Sequence, residues 1–183
     1  MATLTGTHQL GPQHGRIQLR TTREGLAAKV GHDLLIELPS WSGTLTANPE
    51  DPAASTLEVE IDLTSITIVS GTGGVSELSD KDKSEIAKNA GKALEVDRHP
   101  TVTFTAKGLP PSTASGEIEG SLTLHGITKP FRLKFDESSS STWQASGEVI
   151  QSDFGIKPYR AMLGALRLAD PVTVNVEIHL EGA

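Results

Sequence analysis

Strict two-residue alternation of apolar and polar side chains runs through this chain, and it constrains the fold more than any other feature. Successive side chains of a β-strand point to opposite faces, so alternation marks strands with one dry face and one wet face. Leu57, Val59, Ile61 and Leu63 alternate with Glu58, Glu60 and Asp62 in the clearest example. Ile17 and Leu19, then Val102, Phe104 and Ala106, then Ile118, Gly120, Leu122 and Leu124 repeat the pattern. So do Phe131, Leu133 and Phe135, and at the end of the chain Val172, Val174, Val176, Ile178 and Leu180. With weaker candidates at 26–30, 34–38, 41–47, 66–69 and 143–150, about eight or more strands follow one another at hairpin spacing, the signature of an antiparallel barrel or sandwich. Turn residues fall between them, in Asn48-Pro49-Glu50-Asp51-Pro52, Gly108-Leu109-Pro110-Pro111 and the serine run from Ser138 to Ser141.

Two segments break the alternation. Ser79 precedes a run with acids in its first turn, Asp80 and Asp82, and Ile86, Ala90, Ala93 and Leu94 then share one face. A cap followed by that spacing predicts a helix over 79–94, long enough to lie across one end of a barrel. The second segment, 157–168, is unusually apolar for a connection. Tyr159, Met162, Leu163 and Leu166 stand at i, i+3, i+4 and i+7, so a short helical turn gathers them on one surface, and a lid over a cavity is the expectation.

Composition narrows the function. The absence of cysteine removes disulfides, thiolate metal sites and cysteine nucleophiles together. A formal charge of −7, with its basic residues scattered singly, argues against nucleic acid, which needs clustered Lys and Arg. No apolar run approaches a membrane span and the first residues lack a basic start, so the expectation is a cytoplasmic protein with no integral membrane segment. A chain of 183 residues without a composition break or internal repeat reads as one domain over 1–183.

Six motifs spread from about Val30 to Leu180 carry a resemblance. They are Val30-Gly31-His32-Asp33, Leu57-Glu58-Val59-Glu60-Ile61-Asp62, Arg98-His99-Pro100-Thr101-Val102-Thr103-Phe104, the stretch 120–130 around Leu124-His125-Gly126, Ser152-Asp153-Phe154-Gly155-Ile156, and Leu168-Ala169-Asp170-Pro171-Val172. Together they resemble the YceI-like family. That resemblance implies an all-β, eight-stranded, lipocalin-like antiparallel barrel whose elongated apolar cavity holds polyisoprenoid or similar amphiphilic chains.

The remaining chemical signals are weak. His32-Asp33 offers an imidazole beside a carboxylate, yet adjacent strand residues face opposite ways, so a polar contact with a ligand head is the better role for His32. The six histidines show no short ligand spacing of the H-x-x-x-H kind, so no metal and no cofactor are expected. Gly71-Thr72-Gly73-Gly74 lacks the Lys and Ser/Thr of a phosphate loop and reads as a flexible turn.

The expected function is non-catalytic binding of a long-chain lipid of polyisoprenoid, quinone or fatty-acyl type. Candidate contacts on the barrel are His32, Leu34, Ile61, Phe104, Leu122, Phe154 and Val174. On the lid they are Tyr159, Arg160, Met162, Leu163 and Leu166, with Arg160 neutralising an anionic head. Two alternatives stand beside this reading. One is a small enzyme acting on a hydrophobic substrate through His32 and Tyr159; the other is an interaction module with a solid core. An exposed barrel face is compatible with a homodimer.

Overall fold

The computed structural model describes residues 4–110, 115–139 and 141–180. Two residues of the expected turns, Pro111 and Ser140, lie outside the described residues, as does the start of the chain. The strands run in order β1 (Gly6–Leu10), β2 (Gly15–Arg20), β3 (Arg23–Glu24), β4 (His32–Glu37), β5 (Trp41–Ala47), β6 (Thr56–Asp62) and β7 (Thr67–Gly73). After helix α1 (Asp80–Ala93) come β8 (Thr101–Lys107), β9 (Ser115–Leu124), β10 (Ile127–Ser139), β11 (Thr142–Ile150), β12 (Arg160–Ala161), β13 (Leu166–Leu168) and β14 (Pro171–His179).

Eleven strands make one antiparallel sheet, not eight, in the order β1-β5-β6-β8-β9-β10-β11-β14-β2-β4-β7. The difference has a local cause. Three long segments, 6–20, 32–47 and 56–73, are each broken once: by the 11–14 turn, at Leu38-Pro39-Ser40, and by a short 3-10 turn at Leu63–Ser65. The halves keep the same neighbours, since β1 pairs with β5 as β2 pairs with β4, and β5 pairs with β6 as β4 pairs with β7. Because β2 also pairs with β14, the sheet curls back on itself into a barrel. A separate three-stranded sheet, β12-β13-β3, sits at the edge of this wall.

The alternating residues face inward as their period requires. Val102, Phe104 and Ala106 of β8 are buried, while Thr101, Thr105 and Lys107 are exposed. A packed side pools Phe104, Leu122, Leu124, Leu133 and Val149 with Trp41, and the Phe104 and Phe131 rings meet edge to face with centroids 6.0 Å apart. Leu57, Val59 and Ile61, on the clearest strand of all, are half-buried and pack against the same core, whose residues share the lining of the cavity with them.

Helix α1 forms where its cap lies. Ser79 accepts from the Asp82 backbone N–H and the Asp82 carboxylate accepts from the Ser79 N–H, a complete capping box. The helix packs on β7, and Ile86, Ala90, Ala93 and the following Leu94 turn toward the interior.

The 157–168 segment does not form the expected helical lid. Met162, Leu163 and Gly164 have φ of 51°, 57° and 90°, three successive left-handed residues. A chain of that hand cannot bring i, i+3, i+4 and i+7 onto one face, since that spacing presumes a right-handed turn. The segment instead turns between β12 and β13, and Leu163 stands free of the surface, fully exposed.

Candidate functional site

The inner faces of the strands and the inner face of α1 enclose a cavity of about 590 Å³. It extends from His32 at the start of β4 to Asn48 just past the end of β5, so it runs along the whole of that bent segment. Its wall is aliphatic and aromatic over most of this length, with Leu19, Ile36, Val59, Ile118, Phe131 and Val174 among the contributors. Such a volume lies in the range of small-molecule sites, and the solid-core expectation does not describe this interior.

Besides Asn89 of α1 and Gln151, polar side chains reach the cavity in two groups. Asn48 and Ser55 mark the β5–β6 end, where the Asn48 N–H donates to Ser55 Oγ at 2.8 Å. At the other end, beside the small sheet, are Thr21, Arg23, His32, Tyr159 and Arg167. Among the described residues no Asp or Glu lines the cavity. Arg167 is paired with Glu24 at 3.2 Å, whereas Arg23 Nη1 donates to the carbonyls of Gly31 and Thr72, at 2.8 and 2.7 Å. Neutral carbonyls hold the Arg23 guanidinium in place without cancelling its charge, and among the described residues it has no carboxylate partner. An anion is the complement of such an end.

The glycine stretch explains how Arg23 and His32 fit. Gly71 and Gly73 belong to β7, so the stretch is strand end and not a flexible turn. A Cβ at Gly73 would strike the Arg23 guanidinium, and one at Gly74 would strike the His32 ring. Both glycines also have positive φ, 84° and 71°. They are glycine because a side chain, the Arg23 guanidinium at one and the His32 ring at the other, packs on the bare backbone of each. His32 Nε2 lies 2.8 Å from the Ser76 carbonyl, to which it donates, leaving Nδ1 the acceptor of the neutral ring. Asp33, on the opposite face of β4, accepts from the Arg23 backbone N–H at 2.8 Å.

Of the sequence candidates, His32, Leu34, Ile61, Phe104, Leu122, Tyr159, Leu166 and Val174 line the cavity. Four do not. Phe154 is buried in the packed core, Arg160 is exposed on β12, and Met162 and Leu163 point to solvent because the left-handed turn carries them outward. The cationic side chains that do line the cavity are Arg23 and Arg167, and the short strand that carries Arg23 gave no periodic signal. His32 and Tyr159 share the cavity, but among the described residues no hydrogen bond joins them into an acid–base pair.

The histidines hold one further surprise. Glu95, His99 and His125 gather their donor atoms within 4.8 Å of one another, on the far side of the wall from the cavity lining. The search by histidine spacing missed this group because its sequence-local pair is Glu-x-x-x-His, and the third member arrives by folding.

Among the described residues no helix is long and apolar enough to cross a membrane. Comparison with known proteins agrees with the architecture. BcnA of Burkholderia cenocepacia superposes with a TM-score of 0.61 at 15% identity, covering 90% of this chain and 94% of that one. A YCEI protein of Campylobacter jejuni gives 0.57 at 15% identity, over 79% and 82% of the two chains. In sequence, a UPF0312 protein of Pseudomonas aeruginosa is 26% identical over 154 residues, 79% of this chain and 72% of that protein. Protein YceI of Shigella flexneri is 27% identical over 156 residues, with the same coverage. The YceI-like domain matches residues 9–180. With nearly the whole chain inside that match, the protein belongs to the YceI-like family.

Proposed function

We propose that this protein binds a single long-chain amphiphile, its tail in the cavity and an acidic head at Arg23, and performs no chemistry on it. The observation that carries the reading is the continuous apolar wall around about 590 Å³, ending at a guanidinium held by two backbone carbonyls and, among the described residues, by no carboxylate. Burial of the tail supplies the binding energy. At about 0.8 kcal/mol per CH₂, a dozen buried carbons contribute on the order of 10 kcal/mol before the cost of ordering the ligand is subtracted. Few polar contacts are then needed, and the scarcity of polar lining fits this.

Within the polyisoprenoid, quinone and fatty-acyl classes, Arg23 favours a head with negative charge, a carboxylate or a phosphate, over a neutral quinone. His32 adds a polar ring beside that end of the cavity, its Nε2–H taken by the Ser76 carbonyl, and the preference for charge rests on Arg23. Titration of lipid-stripped protein with a long-chain fatty acid and with the alcohol of equal length tests the proposal. The acid should bind one per chain and more tightly than the alcohol, and Arg23→Met should weaken the acid about tenfold while leaving the alcohol unchanged. Equal affinity for both would place a neutral head at Arg23, and no saturable binding of either would remove the binding function.

A further inference from the structure

The cluster on the outer side of the wall is built for a cation. After α1 the chain makes one more hydrogen-bonded turn, in which the His99 N–H donates to the Glu95 carbonyl at 2.9 Å. The turn brings the Glu95 carboxylate and the His99 imidazole together, their ligand atoms within 4.8 Å of each other and of His125. Glu95 itself has a φ of 48°, an uncommon conformation for a residue with a side chain. His125 opposes them from the two-residue turn His125-Gly126 that joins β9 to β10, where Leu124 pairs with Ile127. Its φ of 54°, followed by 75° at Gly126, is the conformation a tight hairpin demands. The same turn that closes the hairpin therefore aims the imidazole at the α1 connection.

The hydrogen bonds of His125 decide what can face it. Nδ1 lies 3.0 Å from the Phe154 carbonyl oxygen, which only accepts, so Nδ1 carries the proton and donates. In the neutral ring Nε2 is then a bare lone pair. That atom is buried, lacks a hydrogen-bond partner, and looks at Glu95 Oε2 across 3.6 Å. Two acceptors facing each other at that distance need an electrophile between them, either a proton or a metal cation. A proton satisfies only this pair. The His99 ring, edge-on to His125 with centroids 4.9 Å apart, supplies a third donor that a proton would not use.

We propose that Glu95, His99 and His125 bind one divalent transition-metal ion of the zinc type, clamping the connection after α1 to the β9–β10 turn. Two imidazoles and one carboxylate suit zinc far better than magnesium or calcium, which take oxygen ligands. The donation from His125 Nδ1 to a backbone carbonyl is the outer contact that orients metal-binding histidines. Bonds of about 2.0–2.1 Å in a tetrahedral site set the donors about 3.4 Å apart, so the three must draw inward. Glu95, with a side chain 44% exposed, has the freedom to do so. Its present ion pair with Arg98, at 3.1 Å, involves a guanidinium 75% exposed and is easily exchanged. Water takes the fourth position. The site stands apart from the cavity, and the proposal does not depend on what the cavity holds.

Calorimetric titration of the full chain with Zn²⁺, after removal of metals by a chelator, tests this. The expected result is one ion per chain, with affinity reduced about tenfold or more in Glu95→Gln and in His99→Ala. Neither substitution touches the packed core, and the metal-free unfolding midpoint checks that each variant folds. Zn²⁺ should raise that midpoint in the unaltered protein and lose the effect in both variants. No stoichiometric binding by the unaltered protein would leave a proton as the bridge and overturn the proposal. Binding that survives both substitutions would assign the ion to another histidine and overturn it equally.

Discussion

The cavity wall and the 157–168 turn are built from the same apolar residue types and meet opposite fates. Leu57, Val59, Ile61 and Phe104 turn inward and enclose a ligand-sized space, whereas Met162 and Leu163 stand in solvent. Their sequences do not differ in hydrophobicity but in what enforces the pattern. In the wall, every strand of the sheet but its terminal β1 and β7 is held by a neighbour on both sides, as β6 is by β5 and β8, so the two-residue period is fixed by pleat and pairing together. A helical period has no such enforcement. It needs a cap and a right-handed start, which α1 has in its Ser79–Asp82 box and which 157–168 lacks.

The sharpest way to break this comparison is to truncate one residue from each region. Phe104→Ala removes a buried ring packed against Phe131 and should cost about 3 kcal/mol or more, read from denaturant unfolding. A loss under about 1 kcal/mol would mean that the inner face is not the source of stability. Gly73→Ala comes next. A Cβ there meets both a positive φ and the Arg23 guanidinium, so unfolding free energy should fall by more than about 1 kcal/mol. Affinity for an acidic chain should drop in the same variant while that for the neutral alcohol holds.

Ser79→Ala tests whether the cap is what separates the two helical patterns, with an expected loss of about 1 kcal/mol. Its pH dependence carries a sign. Hydrogen bonds from Ser79 hold the Asp82 carboxyl below its ordinary value, so the stability they give is present above that ordinary value and is lost as pH falls through the lowered one. The alanine variant should lose less stability on acidification than the unaltered protein. Smallest of all, Leu163→Ser should change the unfolding free energy by no more than about 0.5 kcal/mol, because the side chain it removes touches solvent. A large loss would show that the turn packs against something after all.

These contrasts explain how far the chain could be read before its structure was known. The inward faces of β6, β8 and β14 and the helix at 79–94 follow from local pattern, as does cavity contact for Ile61, Phe104, Leu122 and Val174. Two of the breaks that turn eight strands into eleven were legible, since 34–38 and 41–47, like 57–63 and 66–69, read as separate strands. The count of eight came from the resemblance, and the strand missed was β1, whose Gly6–Leu10 carries little alternation. Phe154 illustrates another limit: burial is legible in a phenylalanine, but not whether it faces a cavity or packs behind its wall. Arg23 was invisible because its role depends on bare backbone at Gly73, fifty residues away, and on carbonyls of Gly31 and Thr72. His125 reaches Glu95 only through pairing of β9 with its neighbours, so no spacing rule over the histidines could have found it.

The central claim is that the interior is a lipid site and not an accidental void. Protein purified without added lipid, denatured and extracted into organic solvent, should release a long-chain amphiphile in near-equal molar amount, identified by mass spectrometry. The account predicts an acidic head on that molecule. An empty extract, repeated after incubation with total lipids, would contradict it.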